Sequence, residues 1–218
     1  MTRSLLSCLI LVSLIACKDP SKDTAKATVT EPATVVPAPT AAAAGTEALP
    51  IAPESSKIGF VGSKVTGSHN GGFTKFAGVL HFNTARAEAS RLDLDIEMAS
   101  VFTDAERLTG HLKTNDFFLV EQFPTAKFVS TEIKAGGEGG ATHQITGNLT
   151  LRGVTKTISF PAVVAITPQA VTAKAEFALP RKQFGVAWEG KADDLVRDNV
   201  IIKLDVNAPR TAAAGSAL

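Results

Sequence analysis

The chain has 218 residues, 44% of them hydrophobic, and 22 Lys and Arg stand against 21 Asp and Glu for a formal net charge of +1. Both signs are scattered, so there is no basic stripe to track a phosphate backbone, and nucleic acid is not an expected partner. Both cysteines, Cys8 and Cys17, fall in the leader and the four histidines (His69, His81, His111, His143) lie far apart, so the folded part has no disulfide pair and no zinc spacing, and no metal or other cofactor is expected.

In chain order, Arg3 precedes the apolar run Leu5 to Ala16, too short for a permanent membrane span and suited to an export signal. Residues 1–16 therefore read as a signal peptide. Leu14-Ile15-Ala16-Cys17 closes it and resembles the lipobox of bacterial lipoproteins, in which cleavage before the cysteine exposes it for acylation. Cys17 is then the lipidation site and the link to a membrane. The alternative is an ordinary signal peptide cut after Ala16, which leaves a free thiol. Lys18 follows Cys17 where inner-membrane lipoproteins commonly carry aspartate, and that likeness implies the periplasmic face of the outer membrane.

Residues 17–53 are poor in large apolar side chains and include PATVVPAPTAAAAG. Such a stretch buries too little to fold, so it is expected to be a disordered tether, reaching on the order of 100 Å when extended. Residues 54–209 hold the folded domain, and 210–218 read as a frayed tail.

Within the domain, Lys57 to Val65 reads as a first strand and Phe73 to Phe82 as a second, with GSHNGG (Gly67 to Gly72) turning the chain between them. Leu92, Leu94, Ile96 and Met98 alternate with Asp93, Asp95 and Glu97, a period of two that sets the inner face of a third strand. Alternation stops at Val101 to Gln122, where Leu108, Leu112, Phe117 and Phe118 follow helix-like spacing, with Thr103 or Asp104 placed to cap. Ala126 to Lys134 is a fourth strand. His143 to Ile166 forms a hairpin of two alternating runs around Gly153, and Val171 to Leu179 and Val200 to Val206 complete eight strands. The expected fold is all-β, an eight-stranded antiparallel barrel with a short helical segment at one end. Gly78, Gly147, Ala162, Ala173 and Ala175 sit on inner faces, where small side chains leave room for a ligand or relieve strand curvature.

Four segments, SVFTDAERLTGHLKTNDFF (Ser100 to Phe118), FPTAKFVS (Phe123 to Ser130), GNLTLRGVT (Gly147 to Thr155) and RKQFGV (Arg181 to Val186), together resemble the YceI-like family of lipocalin-like periplasmic barrels. The likeness spans nearly all of Lys57 to Asn207. At Leu108-Thr109 the chain departs from the Arg-Asp pair that many members carry. The resemblance implies an apolar tunnel for a polyisoprenoid chain such as a polyprenol or a quinone tail, held by a carrier or sequestering protein. Candidate lining residues are Phe60, Phe73, Phe76, Leu80, Phe82, Leu92, Leu94, Ile96, Phe117, Phe118, Phe128, Leu149, Leu151, Phe160, Val164, Phe177, Phe184 and Trp188; each is also ordinary core by composition.

Two other readings stay open: an interaction lipoprotein with a filled barrel, and a lipid-modifying enzyme using His111. His111 and Asp116 are five residues apart and would not face each other closely on one helix, so no catalytic residue is assigned. Arg181 and Lys182 are placed either at a lipid headgroup or in solvent. Whether a second copy of the chain is a partner is left open.

Overall fold

The computed structural model of the protein describes residues 19–34 and 45–210. The leader, Cys17 and positions 211–218 lie outside the described residues. Fourteen strands are present among those described: β1 (Thr28–Thr30), β2 (Thr46–Ile51), β3 (Lys57–Lys64), β4 (Gly67–Phe73), β5 (Phe76–Asn83), β6 (Arg91–Glu97), β7 (Val101–Thr103), β8 (Thr125–Ala135), β9 (His143–Leu151), β10 (Val154–Ile166), β11 (Ala170–Pro180), β12 (Gly190–Lys191), β13 (Asp194–Leu195) and β14 (Asn199–Pro209). One helix, α1 (Glu106–Leu112), interrupts them. Twelve strands join in a single curled antiparallel sheet whose path runs β2-β5-β6-β8-β9-β10-β11-β14-β3-β4-β7, with β1 added on β10, while β12 and β13 form a separate hairpin.

The expected count of eight is too low. GSHNGG is not a turn: it is most of β4, paired with β3 from Ile58↔Phe73 to Lys64↔Gly67. Glycine is a poor strand former, but Phe60 lies across Gly71, where a β-carbon would fall 2.4 Å from the ring, so the neighbouring ring covers what glycine leaves bare. Val101–Thr103 is a strand on β4, and the helix is shorter than its sequence pattern. Neither proposed cap is used. Ala105 holds the cap position without a side-chain bond. Thr103 exchanges hydrogen bonds with Thr109, and Asp104 accepts from the Asn70 amide at 2.8 Å while its other oxygen meets His69 at 2.7 Å.

The largest departure is in the stretch read as a tether. Residues 19–34 lie along the sheet, and β2 pairs with β5 from Thr46↔Asn83 to Ile51↔Gly78. The reason lies in β10, whose free edge pairs with β11 at Val163–Ile166 but with β1 at Thr157–Ser159. Pro161, which has no N–H to donate, sits between the two stretches. Where β10 and β11 part, the Ala27 amide donates to the Ala178 carbonyl at 2.9 Å and the Ala178 amide to Ala25 at 2.8 Å. Asn148 completes the strap: it donates to the Ala33 carbonyl at 2.7 Å and accepts from the Ala33 amide at 3.1 Å. Backbone groups at a seam must find partners, and here a segment of unremarkable hydrophobicity supplies them.

The β9–β10 hairpin is as expected. It turns through Arg152 and Gly153, both at positive φ (50° and 75°), the pair of conformations a two-residue primed turn requires. Arg152 also donates to the Gly185 and Asn115 carbonyls at 2.6 and 2.7 Å, which ties this turn to the loops around α1. At the opposite end Arg210 forks onto Glu47, at 2.6 and 2.8 Å, and joins β14 to the edge strand β2. Arg210 is thus held in place, not part of a frayed tail.

Candidate functional site: an apolar cavity

A cavity of about 780 Å³ runs inside the curled sheet. Alternation along each strand supplies its walls: Leu92, Leu94 and Ile96 from β6, Phe128 from β8, Leu149 and Leu151 from β9, Phe160 from β10 and Phe177 from β11 all border it, as does Ile202 from β14. Phe160 stacks on Phe177 with centroids 4.3 Å apart and meets Phe128 at 5.9 Å, an arrangement that fixes the rings against one another. Phe60 and Phe73, with centroids 6.0 Å apart, extend the wall onto β3 and β4. Phe118 continues it from the loop after α1, 6.3 Å from Phe73.

The helical segment borders one end. His111, Phe117 and Trp188 form an aromatic cluster with His111 4.8 Å from the indole and 5.0 Å from Phe117. His111 Nε2 lies 2.7 Å from Asp116 Oδ2. A helix running through both positions would hold these two apart; α1 ends at Leu112, and the chain folds back. The titratable side chains that border the cavity, Lys64, His69, Arg107, His111, Arg181 and Lys191, all come from the β3–β4 hairpin, α1 and the segment from Arg181 to β12. Arg107 and Lys191 are exposed, which makes this end the mouth.

Arg181 is not a solvated charge. It is 5% exposed and donates to four carbonyls: Val186, Trp188, Val196 and Arg197. Burial lowers its pKa, while Asp198 and Glu189 oppose that shift. A guanidinium has five N–H groups in a fixed fork, so one side chain gathers the loop between β11 and β14 into the rim. Lys182 sits outside, 2.9 Å from Glu189.

Of the expected lining residues, Leu80, Phe82 and Val164 border a second, smaller chamber of about 80 Å³. Phe76 and Phe184 line neither chamber. Phe76 is packed with Leu49 and Met98, and Phe184, fully buried, packs with Ala27 and Leu179 beneath the strap. The small inner-face residues do not open the main cavity, contrary to expectation. A β-carbon at Gly147 would fall 2.5 Å from Phe128, and one at Gly78 3.0 Å from Leu94 and 2.8 Å from the Asp93 carbonyl. Those glycines are already filled by neighbours and create no space in the main cavity. Ala173 and Ala175 border only the small chamber, and Ala162 is core.

Ile58, Leu204 and Val206, absent from the expected lining, also border the main cavity and share the alternation of their strands. Leu108 and Val186 border it too, from segments with no period of two. Leu108 marks the departure from the family pattern and contributes apolar wall, while Thr109 beside it holds β7.

A curled antiparallel sheet wrapped around an apolar cavity, with a helix at the mouth, is a lipocalin-like fold. The chain belongs to the YceI-like family: residues 50–208 match its domain. A UPF0312 protein of Pseudomonas savastanoi is 41% identical over 93 residues, 43% of this chain and 47% of that one, and one of Pseudomonas fluorescens is 37% identical over the same length. The match thus spans about half the length of these curated relatives. Among solved structures, BcnA of Burkholderia cenocepacia superposes with a TM-score of 0.65 at 27% identity, over 72% of this chain and 99% of that one. A polyisoprenoid binding domain from Saccharophagus degradans superposes at 0.58 with 14% identity, over 75% and 100%, a likeness of fold.

Proposed function

We propose that this protein binds a long isoprenoid-like lipid, a polyprenol or a quinone tail, as a carrier or sequestering protein tied to a membrane through acylated Cys17 on the periplasmic side. The observation that carries the reading is the cavity: about 780 Å³, with aromatic and aliphatic walls and charged side chains at one end only. Burying a methylene from water contributes about 0.8 kcal/mol, so each isoprene unit contributes on the order of 4 kcal/mol with no polar partner needed. The Saccharophagus domain of similar fold is named for the same ligand class. The volume weighs against a filled barrel. The His111–Asp116 pair is used here as part of the aromatic cluster that shapes the mouth, so binding without catalysis accounts for it.

Mass spectrometry of solvent extracts from the purified protein tests the reading. A co-purifying long-chain lipid, or uptake of added prenyl alcohols, is expected; neither in repeated preparations would end it. The His111→Ala variant is expected to retain binding, and loss of a turnover activity with binding intact would favour an enzyme. Tryptic mass spectrometry of membrane-extracted protein tests Cys17, where a diacylglyceryl N-terminal peptide is expected and a free thiol would refute the anchor.

A further inference from the structure

The two chambers share four side chains, Ile51 of β2, Leu92 of β6 and Leu204 and Val206 of β14. The small chamber lies at the end remote from α1, bordered by the last residues of β5 and β10 and the first of β11. The shared side chains are therefore a partition across the bore: Ile51 is 3% exposed and the other three pack against the same core cluster. A partition in a tube that takes a flexible hydrocarbon sets how much chain fits on the mouth side.

We infer that Ile51, Leu92, Leu204 and Val206 are a chain-length stop, so that affinity for isoprenoids rises with the length enclosed and levels off near five isoprene units. The inference rests on the lipid-binding reading and deepens it. At about 30 Å³ for each non-hydrogen atom, the share a water takes in its liquid, 780 Å³ accepts roughly 26 carbons. The chamber behind the partition, 80 Å³, adds only about three more. Chain beyond the fifth unit therefore has to stay outside the mouth, where it buries little, or displace the partition. Interiors pack densely enough that four converging branched side chains do not yield without a cost. Two contacts brace the remote end. The Arg210 fork on Glu47 ties β2 to β14 beside it, and Arg210 lies over the Phe82 ring at 5.5 Å.

The test is competition binding on the full-length protein with prenyl alcohols of three, four, five, six and eight units. Affinity is expected to rise about tenfold or more with each unit up to five and less than about threefold per unit beyond. Leu92→Ala with Val206→Ala joins the chambers and moves the break about one unit longer. Adding Ala175→Phe fills the small chamber and moves the break back; alone, that substitution leaves the wild-type break in place, which separates a length effect from general damage. Affinity that keeps rising to eight units, or a break that stays put in the double variant, overturns the stop. Absence of binding at every length overturns the lipid-binding reading itself.

Discussion

The two ends of the bore are built by different physics. At the mouth, loops with little alternation are held by directional bonds: Arg181 to four carbonyls, Arg152 to two, Asp104 to β4. At the remote end the strands close on branched aliphatic side chains, with the Arg210–Glu47 fork outside them. Strand ends there need only converge. Keeping a mouth open over an apolar cavity requires loops that do not collapse into it, and hydrogen bonds with fixed directions provide that where hydrophobic packing would fill the hole.

Breaking the mouth is therefore expected to have the largest effect. Arg181→Met removes the donor to four carbonyls, one bond buried and three half-buried, and is expected to lower stability by about 3–5 kcal/mol in urea unfolding; a loss under about 1 kcal/mol would mean the fork is incidental. In the walls between the two ends, Gly147→Ala forces a β-carbon against Phe128 and the Val129 carbonyl, with an expected loss of about 1–3 kcal/mol. The measurement is the shift of the unfolding midpoint, and no shift would show that the ring moves freely. The strap is held on the outside. Asn148→Ala removes both bonds to Ala33 and is expected to cost about 1–2 kcal/mol, with faster hydrogen exchange at the Ala27 and Ala178 amides; equal exchange rates in variant and wild type would show that the strap stays without Asn148.

The smallest expected effect is that of pH. The Asn70 amide, and then His69, hold the Asp104 carboxyl below its ordinary pKa. A depressed folded pKa gives stability that is present above the ordinary carboxylate value, near pH 4, and is lost as pH falls through the folded value. The Asp104→Asn variant should lose less stability than wild type between pH 5 and about pH 3. Parallel pH profiles for the two proteins would show that Asp104 contributes nothing at the mouth.

Much of the wall was readable from the sequence because a strand with one face inward must alternate. Leu92, Leu94 and Ile96 could not change face without burying Asp93, Asp95 and Glu97, and all three border the cavity. The same rule located the β9–β10 hairpin and its turn. It misjudged segments whose strand character comes from a neighbour. Gly67–Phe73 pairs because β3 and β7 flank it, and Thr28–Thr30 pairs because β10 and β11 part beside it. Polar residues in a stretch without periodicity give no warning of either.

The sequence by itself determined which faces of the long strands are apolar, because a period of two is a local property of the chain. Only the tertiary structure decided where those faces leave a space and where they meet. Gly147 is small in sequence yet occupied in space by Phe128, and Arg181 is charged in sequence yet buried at 5% exposure. Ile51, Leu92, Leu204 and Val206 come from three distant parts of the chain to cross the bore. Volume and partition arise between side chains far apart in sequence, and no local pattern carries the distance between them.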